Sequence, residues 1–150
     1  MGVVVVDTRE QKNHVKDYLD ARGIRNVRSK LYCGDYALLS DQSLCVDRKK
    51  DLGEVCGNLC QQHARFRDEM SRAKAAGIRL VFLVEHGGAI RTLEDVLKWE
   101  NPRLEVSPYA LNGAALYRRM ATAAERYGVA WEFCRKQDTG RRICEILGVS

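Results

Sequence analysis

Two uninterrupted apolar runs, each closed by an acid, constrain this chain more than any other feature in it. VVVVD fills residues 3–7 and RLVFLVE fills residues 79–85. A strand that faces water on one side alternates apolar and polar residues, so a run without alternation reads as a strand covered on both faces. Covering both faces takes helices, and the remaining sequence supplies them. Residues 11–22 carry Val15, Tyr18, Leu19 and Arg22 at helical spacing, and Gly23 stops the run. Residues 52–76 are helical in pattern, with a break expected near Gly57 or Gln61 and with Phe66, Met70 and Ala73 on one buried face. Asn112 is placed to cap a helix through Tyr127, whose stripe is Leu116, Met120, Ala123 and Tyr127. Thr92 and Asp95 have the spacing of a capping box before Trp99, and Thr139 stands where it would cap a last helix to Leu147. Residues 27–32 and 129–134 read as strands, and residues 36–46 as a hairpin turning at Ser40, Asp41 and Gln42. Residues 100–113 hold both prolines and read as an irregular connection. Strands that alternate with helices in this way predict an α/β fold, a mixed central β-sheet flanked by helices. Asp7 and Glu85 then sit at strand ends, where α/β sheets gather their chemistry.

Length and composition narrow the class. At 150 residues, with 45% hydrophobic and 30% charged, the chain suits a single domain over residues 1–150 with a full core. No repeat or linker divides it. The net charge of +5 hints at an anionic partner such as nucleic acid. No apolar run reaches membrane-spanning length, the N-terminus lacks the basic region of a signal peptide, and Val6 stands where myristoylation wants Ser or Thr. A cytoplasmic protein without membrane attachment is expected, and its six cysteines are expected to be reduced. Cys56, Cys60 and His63 recur at i, i+4 and i+7 on one helix face, which admits part of a zinc site. No CxxC pair completes such a set, so packing on a buried face is the favoured reading.

The stretch GDYALLSDQSLCVDRKKD, residues 34–51, carries the chemistry. Side chains alternate along a strand, so Asp47 and Lys49 point to one side and Arg48 to the other. A hairpin brings its ends together, which makes Asp35 and Asp47 neighbours, and Asp7 at the end of an adjacent strand can join them. Converging acids repel one another in a poorly solvated site unless a cation joins them. Mg²⁺ takes oxygen ligands at about 2.0–2.1 Å and keeps waters and substrate phosphate in its shell. A bound metal polarises a phosphoryl oxygen and lowers the pKa of a water, and Lys49 is placed to orient that water or to stabilise the developing charge. Two acids and a lysine on a hairpin are thus the parts for phosphodiester hydrolysis. On spacing alone, a solvated hairpin end with mixed charges is the favoured reading, since Asp and Lys are common surface residues.

The ordered motifs reverse that preference. VVDTRE at residues 5–10, GDY at 34–36 and VDRK at 46–49 resemble the XPF-type structure-specific endonucleases of the PD-(D/E)XK nuclease superfamily, which carry V-D-x-R-E, then G-D, then E-R-K-x(3)-D. The resemblance covers about residues 3–85. It implies a restriction-endonuclease-like fold and a Mg²⁺-dependent DNA endonuclease, with Mn²⁺ as a substitute, acting on branched, flap or junction DNA. By position it implies Asp7, Asp35 and Asp47 as metal ligands or near-ligands, Lys49 as the catalytic lysine, Arg48 as a supporting residue, and Arg9 and Glu10 at functional positions. Two departures stand out. The family's Glu is Asp47 here, one methylene shorter, and the last signature acid falls on Gly53, flanked by Asp51 and Glu54. Glu54 is the preferred replacement. Longer family members append helix-hairpin-helix and helicase domains; this chain looks similar to compact stand-alone bacterial or phage forms, and a homodimer is expected by analogy. The alternatives are a degenerate member that binds DNA or a partner without cutting, and a superfamily nuclease without branch preference. Candidate DNA contacts are Arg9, Gln62, Arg65, Arg67, Arg72, Arg141 and Arg142, with Arg118, Arg119, Arg135 and Lys136 in further basic clusters. Trp99 and Tyr109 are candidates for stacking on a base, although core packing suits Trp99 better.

Overall fold

Both apolar runs become inner strands of one six-stranded sheet. The computed structural model describes residues 2–150. The strands are β1 (Val4–Val6), β2 (Asn26–Arg28), β3 (Tyr36–Leu38), β4 (Leu44–Lys49), β5 (Arg79–Glu85) and β6 (Ala130–Cys134), in the order β2-β1-β3-β4-β5-β6. β3 runs antiparallel to both neighbours, whereas β1–β2, β4–β5 and β5–β6 pair in parallel. The helices are α1 (His14–Ala21), α2 (Leu52–Cys60), α3 (His63–Ala75), α4 (Gly113–Tyr127) and α5 (Thr139–Leu147). No helix among the described residues is long and apolar enough to cross a membrane.

Strand alternation divides the core into two layers. On one face Val5, Cys45, Leu80, Phe82 and Val84 meet α2, α3 and α4 through Leu59, Phe66, Met70, Leu116 and Met120. Phe82 is sandwiched between Phe66 and Trp131, with ring centroids 5.0 and 4.6 Å away. The indole N–H of Trp131 donates to the Met120 carbonyl at 2.9 Å, so this large side chain buries no unpaired donor. On the other face Val4, Val6, Tyr36, Val46 and Leu83 meet α1 and α5 through Val15, Leu19, Ile143 and Leu147. The uninterrupted apolar runs are therefore the strands that serve both layers at once.

The expected elements are present, with local differences. The break in the long helical pattern falls at Gln61 and Gln62, between α2 and α3. The strand expected over 27–32 spans only Asn26–Arg28, because the Leu31 amide leaves the sheet to donate to Asp7. Thr92 and Asp95 form reciprocal capping bonds, but the element they open is a 3-10 turn, Glu94–Lys98. Asn112 caps α4 through the Ala115 amide at 2.8 Å. Thr139 does not cap α5; its hydroxyl is turned inward to Glu85 at 2.5 Å. Cys56 packs against the core, whereas Cys60 and His63 are exposed, so the three do not share a buried face.

The layer of α1 and α5 depends on one close approach. A Cβ built at Gly140 would lie 2.5 Å from the Tyr18 ring. Gly140→Ala is expected to destabilise the fold by about 1–3 kcal/mol through overpacking. Urea unfolding of the two proteins checks this; an unchanged midpoint would contradict the packing described.

Candidate active site

Gly34 sets the geometry of the hairpin end. Its φ is +77°, and a Cβ there would approach the Cβ of Cys45 at 3.0 Å and the Val46 carbonyl at 3.2 Å. Only glycine accepts both the left-handed backbone and the closeness of β4. Asp35 follows directly. Its amide donates to the Val46 carbonyl at 2.8 Å and its carbonyl accepts from the Asp7 amide at 2.8 Å. Its carboxylate Oδ2 accepts from the Arg48 amide at 2.8 Å. The aspartate is thus held by main chain on both sides, its carboxylate at the level of residues 47–49.

Along β4 the side chains alternate as the strand period requires. Asp47 and Lys49 face the α2–α3 side, with Lys49 Nζ 3.5 Å from Asp47 Oδ2. The Lys49 ammonium lies 5.1 Å from the centre of the Phe66 ring and 5.5 Å from that of Phe82. Asp35, Asp47 and Lys49 line a cleft of about 260 Å³ whose opposite wall is α3, which contributes Arg65, Phe66, Glu69 and Arg72. Arg9, Asn58 and Gln62 also line it, with residues 32–34 beside Asp35.

The electrostatics of this cleft are those of crowded acids. The Asp47 carboxylate lies in the same cleft as the Asp35 and Glu69 carboxyls and acts on both. Burial pushes the Asp35 carboxyl well above the usual range, and the Asp47 charge adds to the rise. Burial likewise pushes Glu69 up to about 8, again reinforced by Asp47. Asp47 itself remains the anion. Burial opposes its charge, but Lys49 and hydrogen bonds from Asp35 and Glu69 outweigh that and hold it below the usual range. Lys49 stays charged for the reciprocal reason: burial disfavours its ammonium, and Asp47, Glu54, Glu69 and Asp35 together more than offset this. Among the described residues no three His, Cys, Asp or Glu side chains stand ready in ligand geometry. The acids of the cleft disfavour one another's charge instead. Their chemistry fits a hard divalent cation, which would relieve that conflict. Asn58 adds to the fit. Its Oδ1 is the one buried side-chain N or O atom among the described residues without a hydrogen-bond partner, on a residue that lines the cleft.

The other face of β4 carries a separate network. Arg48 grips Glu10 with two bonds, Nε to Oε2 at 2.8 Å and Nη2 to Oε1 at 3.0 Å, and donates through Nη1 to Glu85 Oε1 at 2.7 Å. Tyr36 donates its hydroxyl to Glu10 Oε2 at 2.8 Å, and His14 Nε2 lies 2.5 Å from Glu85 Oε2. Burial opposes the charge on Glu10, but the bonds from Arg48 and Tyr36 hold its carboxyl below the usual range. Glu10 and the Arg48 guanidinium therefore lie across the sheet from the cleft.

The remaining sequence candidates divide clearly. Asp7 ends β1, but its carboxylate accepts from the Leu31 amide at 2.7 Å and from Arg9 Nε and N at 2.8 and 3.0 Å. It does not line the cleft. Glu54 and Asp51 bind the start of α2: Asp51 accepts from the Glu54 amide at 2.8 Å, and Glu54 from the Lys50 amide at 2.7 Å. Arg9, Gln62, Arg65 and Arg72 reach the cleft rim. Arg67 lies on the opposite flank of α3. Arg141 and Arg142 lie on α5, paired with Glu145, Asp138 and Glu132. Sequence reasoning missed Glu69 and Asn58. The one available signal was that Glu69 shares a helix flank with Arg65 and Arg72, which stand four residues before it and three after it.

This mixed sheet, with an acid and an acid-x-Lys facing one cleft, is a restriction-endonuclease-like fold. The chain belongs to the ERCC4 domain family, whose model matches residues 6–146. Among solved structures the chain is similar to XPF from Aeropyrum pernix, at 23% identity and a TM-score of 0.71, over 97% of this chain and 63% of that one. It is also similar to XPF from Aeropyrum pernix in complex with DNA, at 22% identity and a TM-score of 0.69, over 99% of this chain and 64% of that one. The chain thus spans a little under two thirds of those structures' length, and the likeness is one of fold. No curated protein matches it.

The raised Glu69 carboxyl has a pH signature. A group that holds its proton more tightly when folded contributes stability that is fully present below its ordinary value of 4.5 and is lost as pH rises through about 8. In EDTA the melting temperature is expected to fall across that window, and Glu69→Gln, which cannot ionise, to flatten the fall. A Glu69→Gln protein with the wild-type slope would show that Glu69 is not held protonated.

Proposed function

We propose that this protein is a divalent-metal-dependent DNA endonuclease that hydrolyses phosphodiester bonds at branched, flap or junction DNA. The observation that carries the chemistry is the convergence of Asp35, Asp47 and Glu69 beside a charged Lys49 in one cleft. In this reading Asp35 and Asp47 hold a Mg²⁺ ion, or Mn²⁺ in its place, and Glu69 supplies a third oxygen directly or through a water. Such an ion supplies, when bound, polarisation of the scissile phosphate and a more acidic water. The chain's own residues do the rest. Lys49 remains an ammonium and so is placed to stabilise charge on the phosphate oxygens rather than to act as a base. Asn58 accepts a hydrogen bond from a water in the cleft. Arg9, Arg65 and Arg72 hold the neighbouring phosphates, and Gln62 offers an amide to the backbone or a base edge.

Asp7 takes a supporting part here. Its bonds fix Arg9 at the cleft rim and the backbone at Leu31. Arg48 and Glu10 hold β4 from behind the sheet, and Glu54 and Asp51 cap α2. The preference for branched DNA rests on the family alone, and the Aeropyrum pernix protein solved in complex with DNA supports DNA as the ligand. A homodimer is expected from the family, and the outer edges of β2 and β6, which have no strand partner among the described residues, leave room for one.

The shorter Asp47 in place of the family's Glu favours one second reading, a DNA-binding module with weakened chemistry. One experiment separates the two. End-labelled flap, fork, four-way junction and plain duplex DNA are incubated with the protein in Mg²⁺, Mn²⁺ or EDTA. Cutting of the branched forms is expected in either metal and none in EDTA, with Asp47→Ala and Lys49→Ala each slowing it about 10²–10³-fold. Cutting of all forms alike would keep the hydrolysis and remove the branch preference. DNA binding without cutting, rescued to cutting by Asp47→Glu, would establish the binding module.

A further inference from the structure

Helix α3 has two arginine-bearing flanks, and only one faces the cleft already described. On the other flank, Arg67 and Met70 look across to α4 over a groove of about 410 Å³. Helix α4 contributes Arg118, Arg119 and Arg126 to it, and no carboxylate lines it. A second concavity of about 450 Å³, between α2 and residues 101–111, shares Leu111 and Arg119 with this groove and also has no acidic lining. Arg103 and Tyr109 stand at its mouth.

The charges of this surface are unspent. Among the described residues Arg67, Arg103, Arg118, Arg119 and Arg126 form no ion pair, whereas Arg135, Arg141 and Arg142 on and before α5 are all paired with acids. Two bonds hold the groove in shape rather than neutralise it. Arg119 donates to the Leu59 carbonyl at 3.2 Å, and Lys74 donates to the Arg126 carbonyl at 2.8 Å, tying α3 to the end of α4. Tyr109, on the same surface, is equally unspent, being 94% exposed.

We infer that the α3–α4 groove and the adjoining concavity at Tyr109 form a binding track for a single-stranded nucleic-acid arm, outside the catalytic cleft. A single strand offers phosphates and unstacked bases together, and it binds where basic side chains alternate with aromatic and apolar surface. A duplex keeps its base faces stacked inside and gives Tyr109 and Leu111 nothing to cover. The track is also continuous with the cleft. A shallow hollow over α2 shares Asn58 and Gln62 with the cleft and Gly53, Gly57 and Gln61 with the Tyr109 concavity. That hollow also carries Lys50 and the two acids at the start of α2, Asp51 and Glu54, so a strand leaving the cleft passes them on the Gln61 and Gln62 side before it reaches the acid-free groove. Identifying the arm as part of a cleavage substrate rests on the nuclease reading above; the track itself rests on its unpaired arginines and exposed tyrosine.

The test is binding in EDTA, where no cutting occurs. Fluorescence anisotropy would follow labelled oligothymidylate and, separately, a labelled duplex of equal length. The variants are Tyr109→Ala and the double variant Arg118→Glu/Arg126→Glu, all at exposed positions, with Arg118→Lys/Arg126→Lys as the charge-preserving control. Oligothymidylate affinity is expected to fall at least tenfold in the Glu variant and about fivefold or more in Tyr109→Ala, with the Lys variant near wild type and the duplex affected less. Unchanged oligothymidylate binding in both variants, with melting temperatures intact, would overturn the proposal. So would an equal loss for the duplex, or an oligoglutamate peptide competing as well as oligothymidylate. A protein that cuts no DNA yet shows these losses would sink the nuclease reading and keep the track. A protein that cuts, with oligothymidylate binding indifferent to the variants, would do the reverse.

Discussion

The site depends on how Arg48 is held. Its guanidinium is forked between Glu10 and Glu85, two acids from different parts of the chain, and its own backbone amide grips Asp35. One residue therefore ties the segment after β1, the end of β5 and the start of β3 to β4. Removing one member of such a buried, hydrogen-bonded set leaves the others uncompensated, at a typical cost of about 3–5 kcal/mol. Because strand side chains alternate, fixing Arg48 on one face fixes Asp47 and Lys49 on the other. The order of the cleft is thus imposed from behind the sheet.

Helix α3 turns that order into a working surface. Phe66, Met70 and Ala73 bury its underside on Phe82 and its neighbours, which sets the height of the helix above β4. At that height Glu69 meets Asp47, and Arg65 and Arg72 reach the same cleft. The acids crowd because the helix is anchored, and burial together with that crowding raises the Asp35 and Glu69 carboxyls. A cation would release that frustration, which gives the cluster a chemical use that a solvated hairpin end would lack. The outer flank of the same helix carries its remaining basic charge toward α4.

Much of this was legible in the order of residues. Continuous apolar runs located β1 and β5, period-two alternation placed Asp47 and Lys49 together and Arg48 opposite, and Asn112 marked the start of α4. What failed to show were the tertiary choices of polar side chains. Asp7 ends its strand as expected, yet the Leu31 amide and Arg9 claim its carboxylate. Thr139 has the position of a cap and is drawn inward by Glu85. Glu69 sits in RFRDEM, a run that reads as a solvated helix face, and only the distance from α3 to β4 makes it part of the cleft. Local pattern cannot report a contact between a helix and a strand that precedes it by a whole helix, because that contact is set by core packing beneath α3.

The claim on which the rest turns is that the acid cluster holds protons in place of a divalent cation. Isothermal titration calorimetry with Mn²⁺, and then Mg²⁺, in buffers of different ionisation enthalpy measures the protons released as the cation binds. Near pH 7 a carboxyl raised to about 8 is still largely protonated, so binding is expected to release protons, with less release in Glu69→Gln. Cation binding without proton release, or no binding at all, would contradict that claim.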